Sequence, residues 1–345
     1  MPFLRAMRGL HVPCHYHSTA SSMPATVDAP LRQTGPPLAP PGPGKPAAGT
    51  IALAFAAIYL IWGSTYFAAL VALETLPPYL MMAIRLLVAG SVLAGLSRWQ
   101  SPVASLRAGW SRNALSGMLI LGLGSSSTVW AEQVLPSSLA AILATTVPLW
   151  LAVLDWPRWG RYRHERMRLL GLLLGGLGVV GLFGEKLAAP AVGGAVAQGG
   201  YWLAVGAVLA GSLCTAAGSL LARYRAAPGP PLANAASQLL AAGLFCALVS
   251  AVAGEWTGFS LGQVSLRSAW AVAYLVVFGS GIAYLAYLWL LRVRPPAVVG
   301  TYAYVNPVVA VLLGGVLAHE AISLQQVLAL LVILAGVWLI NRPAT

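Results

Sequence analysis

The chain carries one sequence pattern twice, and both copies lie within long apolar stretches. The first copy begins at Pro77-Pro78 and runs to Ala89-Gly90, and the second begins at Pro230-Pro231 and runs to Ala242-Gly243. A second set recurs at a single offset, so that Gly122, Trp130, Pro136 and Pro148 match Gly281, Trp289, Pro295 and Pro307. A duplicated set of apolar spans is typical of secondary transporters, whose two halves move about a central site.

The composition indicates a membrane protein. Hydrophobic residues make up 59% of the chain and charged residues only 8%, and the mean hydropathy is +0.79. A water-soluble chain of this length cannot bury that much apolar surface, whereas lipid accommodates it directly. The net charge of +12 comes mainly from arginines in short loops between apolar spans, which favours a membrane-surface role for that charge over nucleic-acid binding.

The first 48 residues differ from the rest. They are rich in proline, serine, threonine and glycine, and they lack the apolar segment that a secretory signal contains. We therefore predict a disordered cytoplasmic tail at 1–48. His11, Cys14, His15 and His17 have metal-ligand chemistry. They lie in this tail without a matching set of partners, so we predict neither a metal site nor a cofactor.

The remainder predicts an all-α integral membrane protein of ten transmembrane helices. Apolar spans of about 20 residues, the length that crosses a bilayer, fall at 50–71, 78–97, 113–132, 137–156, 169–186, 201–222, 232–253, 269–291, 297–318 and 323–341. Five spans in each half invert the second half relative to the first. We therefore predict two inverted five-helix repeats, at 49–187 and 200–342.

Loop charge predicts the orientation. Thirteen arginines lie in loops on one side, against Lys186 and Arg267 on the other. The positive-inside rule then places both termini in the cytoplasm.

Several motifs follow one another in the order and spacing of a known family. They are Ile61-Trp62-Gly63-Ser64-Thr65-Tyr66, Leu76-Pro77-Pro78, Arg85, Thr145-Thr146-Val147-Pro148, Gly281-Ile282-Ala283-Tyr284, Asn306-Pro307, Glu320 and Ile333-Leu334-Ala335-Gly336-Val337. Together they resemble the EamA family of the drug/metabolite transporter superfamily, over about residues 50–341. The resemblance implies an exporter of small amphiphilic metabolites, such as amino acids or drugs, in the bacterial inner membrane.

Arg85 is the only basic residue deep in a predicted span. A charge at that depth costs at least about 2.5–3.5 kcal/mol on insertion scales, so we expect the side chain to face a cavity or a partner. The functional interpretation is that Arg85 contacts an anionic group of the substrate. Two alternatives stay open: the side chain extends to the membrane surface as an anchor, or it bonds to backbone carbonyls. Its repeat equivalent is the neutral Gln238.

Proline residues at matching repeat positions suggest a lined pore. Pro148 and Pro307 remove backbone donors and free the carbonyls of Ala144 and Ala303. We predict that both prolines and their polar neighbours line a central cavity. The alternative is that they only pack between helices. These neighbours are Thr145, Thr146, Tyr302, Tyr304 and Asn306.

A second candidate surface is aromatic and hydroxyl-bearing. Ser280, Tyr284 and Tyr287 share one helical face, which could be a wall for an amphiphilic solute or an interface anchor. Trp62, Ser64 and Tyr66 form a similar group.

The acidic residues predict no obvious proton relay. Glu132 is the nearest candidate, but the sequence places it at the outer end of the third helix, with no carboxylate at the depth of Arg85. An intramembrane enzyme is disfavoured because the spans hold no activated nucleophile. The alternatives to an exporter are a sugar-phosphate or nucleotide-sugar carrier and, in a different class, a channel or a membrane scaffold. The expected partners are a small-molecule substrate and the lipid bilayer, with the protein a monomer or homodimer.

Overall fold

The computed structural model describes residues 46–101, 109–135, 140, 143–158, 166–187, 195–317 and 324–341. All regular secondary structure in these residues is helical. The helices are α1 Ala48–Leu73, α2 Pro78–Gln100, α3 Trp110–Ala131, α4 Val147–Leu154, α5 Arg166–Leu187, α6 Ala195–Tyr224, α7 Pro231–Val252, α8 Leu266–Val293, α9 Pro296–Val299, α10 Tyr302–Leu317 and α11 Leu324–Asn341. The chain divides into a unit at Met1–Ile51, described only from residue 46, and a compact unit at Ala52–Thr345.

Six helices are long and apolar enough to cross a membrane, counting only the described residues. They are α1, α2, α3, residues Gly200–Tyr224 of α6, α7 and α8. This finding supports the prediction of a helical membrane protein in its coarser form. The fourth predicted span begins outside the described residues, and the ninth is divided into α9 and α10, so the count of ten stays a prediction. Nearly all of the predicted tail, residues 1–45, also lies outside the described part.

The duplicated proline pairs start two helices of nearly equal length. Pro77 and Pro230 are the N-cap residues of α2 and α7, with φ/ψ of −62°/147° and −62°/142°. Pro78 and Pro231 follow at the first helical position, where the fixed φ of proline suits the helix and no N–H donor is needed. At α2 the carboxylate of Glu255 also accepts hydrogen bonds from the amides of Tyr79 and Leu80, at 3.2 and 2.8 Å.

Helices α2 and α7 pack against each other through reciprocal contacts. A Cβ added at Gly90 would lie 2.9 Å from Leu240 Cγ, and one added at Gly243 would lie 2.8 Å from Leu87 Cγ. Both glycines therefore allow close approach of the two helices. Gly90 and Leu87 occupy the same repeat positions as Gly243 and Leu240, so the contact follows the internal repeat.

Two π-helical segments interrupt α3 and α8. They span Met118–Ser125 and Leu275–Ala283, and they contain the repeat-matched Gly122 and Gly281. A π segment widens the helix and is frequent at functional sites. Both segments face the cavity described below.

Two groups of charged residues lie in different parts of the protein. Arg112, Arg225 and Arg292 line a small second cavity together with Asn113. Elsewhere, Arg267 forms an exposed ion pair with Glu74, with N and O atoms 3.3 Å apart.

Candidate functional site

The principal cavity lies among α1, α2, α3, α6, α8, α10 and the start of α4. It contains about 900 Å³ of space free of protein atoms, its opening included. Its wall is mostly apolar with a few convergent polar groups, which is typical of small-molecule sites. Helix α7, the repeat partner of α2, contributes no residue to its lining.

Arg85 is buried in the cavity wall. Its side chain is 8% exposed, and its Nε donates a hydrogen bond to Ser280 Oγ at 2.8 Å. The guanidinium lies against Gly279, where an added Cβ would be 2.9 Å from Nη2. This burial does not fit the anchor alternative, which would leave the charged group at the surface. No ion pair of Arg85 is formed with any residue that the structure describes.

Trp62 and Tyr302 of the cavity wall belong to an aromatic cluster. The Trp62 ring lies 5.0 Å from the Tyr287 ring and 4.7 Å from the Tyr302 ring, measured between centroids. Trp62 Nε1 donates to the carbonyl of Gly279 at 3.1 Å. This bond fixes the indole beside the π segment of α8, which also presents Ser280 to Arg85.

Two buried acceptors in the cavity wall have no hydrogen-bond partner. They are Glu132 Oε2 and Asn306 Oδ1. Glu132 follows the last residue of α3, where sequence reasoning placed it at the outer end of a helix. Glu132 nevertheless lines the same cavity as Arg85, and the expectation that no carboxylate lies at the depth of Arg85 stays a prediction.

Comparison with known proteins identifies the family. The EamA-like transporter family model matches residues 49–184 and 202–342. This chain belongs to the EamA-like transporter family. It is 36% identical to the inner membrane transporter YedA of Escherichia coli over 286 residues, which cover 83% of this chain and 88% of YedA. It is 23% identical to the transporter YvbV of Bacillus subtilis over 294 residues, covering 85% of this chain and 92% of YvbV.

One solved structure has a similar fold. It superposes with a TM-score of 0.68 at 20% identity, covering 86% of this chain and 98% of the solved chain. The family model and the similarity to YedA confirm the family predicted from the motifs, and the chain is a multi-pass membrane protein of a transporter family.

Seven of the predicted site residues line the cavity. They are Trp62, Tyr66, Arg85, Ser280, Tyr284, Tyr302 and Asn306. Five other predicted site residues do not line the cavity and form hydrogen bonds elsewhere. The hydroxyls of Ser64 and Tyr287 bond to those of Tyr274 and Ser219, both at 2.6 Å. Thr146 donates to the Leu143 carbonyl at 2.8 Å, Tyr304 donates to the Leu172 carbonyl at 3.1 Å, and Gln238 accepts from the Tyr284 hydroxyl.

The two prolines occupy different places in their helices. Pro148 lies in the first turn of α4, whereas Pro307 lies inside α10. Neither proline lines the cavity, and neither does Thr145. The lining instead includes Ala144 and Ala303, the residues whose carbonyls lose a helical donor to the prolines.

Several lining residues were not among the predicted site residues. They include Thr65, Ser125, Thr128, Glu132, Ser212 and Thr215. The repeat offset held a usable signal for two of them, because Ser125 and Thr128 occupy the positions of Tyr284 and Tyr287 in the second half. Among the described residues, no cluster of three or more His, Cys, Asp or Glu side chains could hold a metal ion.

Proposed function

We propose that this protein is a secondary transporter that exports small amphiphilic metabolites, such as amino acids or drugs, across the bacterial inner membrane by alternating access. The observation that carries the proposal is the cavity of about 900 Å³, which combines a buried arginine with an aromatic wall. An amphiphilic solute presents an anionic or polar group to Arg85 and an apolar body to Trp62 and Tyr302. The names of the relatives YedA and YvbV support membrane transport.

The proposed topology is ten transmembrane helices in two inverted repeats, at 49–187 and 200–342, with both termini in the cytoplasm. The reciprocal contacts of Gly90 with Leu240 and Gly243 with Leu87 support a two-fold relation between the halves. The grouping of Arg112, Arg225 and Arg292 supports a cytoplasmic face on that side. A topology reporter fused at Arg342 should read as cytoplasmic, and a periplasmic signal would contradict the proposed orientation.

A sugar-phosphate or nucleotide-sugar carrier is less well supported. Phosphate recognition generally uses several Lys or Arg side chains. Among the described residues that line the cavity, Arg85 is the single Lys or Arg. One guanidinium balances the single negative charge of a carboxylate, whereas a phosphate monoester carries about −1.5 to −2 charge at pH 7.

The test is counterflow in proteoliposomes. Vesicles containing the purified protein are loaded with unlabelled amino acids, nucleosides or amphiphilic drugs in turn, and uptake of the labelled compound is measured. Saturable uptake that accelerates when the same compound is loaded inside supports a carrier. Uptake that stays linear with concentration and insensitive to loading would indicate a channel, and no uptake across the panel would favour a scaffold.

A further inference from the structure

The wall of the principal cavity contains two hydrogen-bond acceptors without a partner, counting only the described residues. Among the described residues, four buried side-chain polar atoms have no hydrogen-bond partner: Ser97 Oγ, Glu132 Oε2, Trp150 Nε1 and Asn306 Oδ1. Of these, only Glu132 and Asn306 line the principal cavity, and both atoms are acceptors. Buried polar atoms are rarely left unpaired, so both acceptors are available to a donor group of a molecule in the cavity.

Several donors of the cavity wall are engaged elsewhere. Thr65 donates to the Trp62 carbonyl at 2.7 Å, Trp62 to the Gly279 carbonyl at 3.1 Å, and the Tyr284 hydroxyl to Gln238. Arg85 Nε is held by Ser280. These bonds prevent the same hydrogen atoms from satisfying Glu132 and Asn306.

The guanidinium of Arg85 and the carboxyl group of Glu132 are presented separately in the cavity. Arg85 and Glu132 both line it, yet among the described residues neither takes part in an ion pair. A direct pair would neutralise both groups and leave no charge for a ligand. Separated charges instead fit a molecule that carries a positive group and a negative group at different positions.

We propose that Glu132 and Asn306 form a subsite for a protonated amine, while Arg85 receives an anionic group of the same molecule. This proposal rests on the proposed transport function and adds a second polar contact to it. An ammonium group supplies several N–H donors and a positive charge, so it satisfies a carboxylate and an amide oxygen together. Water would supply donors without the charge that balances Glu132.

Probe binding to the purified full-length protein tests the subsite. The probes are phenethylamine, phenethyl alcohol and hydrocinnamate, which share a benzene ring and differ in the polar group. Wild-type protein should bind phenethylamine roughly tenfold more tightly than phenethyl alcohol, since charge-assisted hydrogen bonds exceed neutral ones. Equal affinities for the amine and the alcohol would overturn the proposal.

Two variants locate the effect. Glu132→Gln should weaken phenethylamine binding by roughly tenfold and leave hydrocinnamate binding unchanged. Asn306→Asp should tighten phenethylamine binding by adding a second carboxylate, and this variant carries the test if Glu132→Gln does not fold. The matched control is Glu74→Gln, which removes an exposed carboxylate and should change neither affinity. Unchanged amine binding in both cavity variants would overturn the proposal.

Counterflow separates this proposal from the proposed function. Glu132-dependent amine binding without counterflow of any compound would leave the subsite standing and remove the transport function. Counterflow with amine binding that does not depend on Glu132 would leave transport standing and remove the subsite.

Discussion

Helices α2 and α7 are two copies of one sequence element, and they serve different purposes. Both begin at a proline pair, and Arg85 and Gln238 occupy the same position along them. Arg85 enters the principal cavity and bonds to Ser280. Gln238 lies outside that cavity, accepts the Tyr284 hydroxyl and donates to Asn113 at 3.5 Å. One copy therefore supplies a charge to the cavity, and the other holds the cavity wall in place.

The two copies share the features that position the backbone and differ in the side chains that reach the cavity. Proline caps and close glycine contacts set where the backbones lie, and these features recur in both copies. A single side chain at an equivalent position then decides which of the two helices contributes to the cavity wall. Both halves line the cavity, but among the described residues only the first half supplies an arginine to it.

Ser125→Tyr should have the largest effect on function. It copies Tyr284, its repeat equivalent, into the first half, so an aromatic ring would occupy space that the substrate needs. We expect transport in the counterflow assay to fall by roughly a hundredfold, because steric exclusion removes binding of about 2.7 kcal/mol or more. Leu248→Trp, at a site that is 64% exposed on α7, is the control for added bulk. Normal transport by Ser125→Tyr would mean that the substrate does not pass through this cavity.

Gly90→Leu and Gly243→Leu test whether the frame is truly shared. Each added side chain meets a leucine of the partner helix, and overpacking costs about 1–3 kcal/mol. We expect thermal unfolding to show two similar losses of stability. Gly95→Leu is the control on α2, because an added Cβ there meets nothing within 4 Å. A large loss from one substitution only would break the proposed equivalence of the helices.

Gln238→Leu should have the smallest effect on ligand binding. Its loss leaves the Tyr284 hydroxyl and Asn113 with fewer partners, so we expect a decrease of about 1 kcal/mol in the free energy of unfolding. Ligand affinity should stay within about threefold of the wild-type value, since the side chain does not line the cavity. A tenfold change in affinity would need a change of about 1.4 kcal/mol in the binding free energy. Binding isotherms that weaken as much as those of an Arg85 variant would show that the two positions are functionally equivalent after all.

The repeat and the helical membrane character could be predicted because the bilayer requires apolar spans and internal backbone bonding. The direction of each side chain was harder to predict. The π segments at Met118–Ser125 and Leu275–Ala283 change the register of the helix face, so an α-helical periodicity misassigns the residues beyond them. Tyr284 lines the cavity whereas Tyr287 does not, and Glu132 enters it although it follows the end of α3.

The same limit applies near the prolines. A sequence shows that Pro148 and Pro307 interrupt hydrogen bonding, but it does not show that Pro148 starts a helix while Pro307 lies within one. Tertiary packing decides that difference. Ser64 and Tyr304 were plausible pore residues by composition, yet their hydroxyls bond to Tyr274 and to the Leu172 carbonyl.

The central claim is that Arg85 supplies the positive contact of the site, and hydrocinnamate binding to Arg85→Gln tests it most directly. This variant makes α2 resemble α7 at the decisive position. We expect hydrocinnamate affinity to fall by roughly tenfold or more, because charge-assisted hydrogen bonds contribute about 1.5–3 kcal/mol. Arg85→Lys should recover only part of it, since a point charge cannot replace a bidentate guanidinium. Arg267→Gln, at an exposed arginine, should bind as wild type does. An unchanged hydrocinnamate affinity in a folded Arg85→Gln protein would contradict the account.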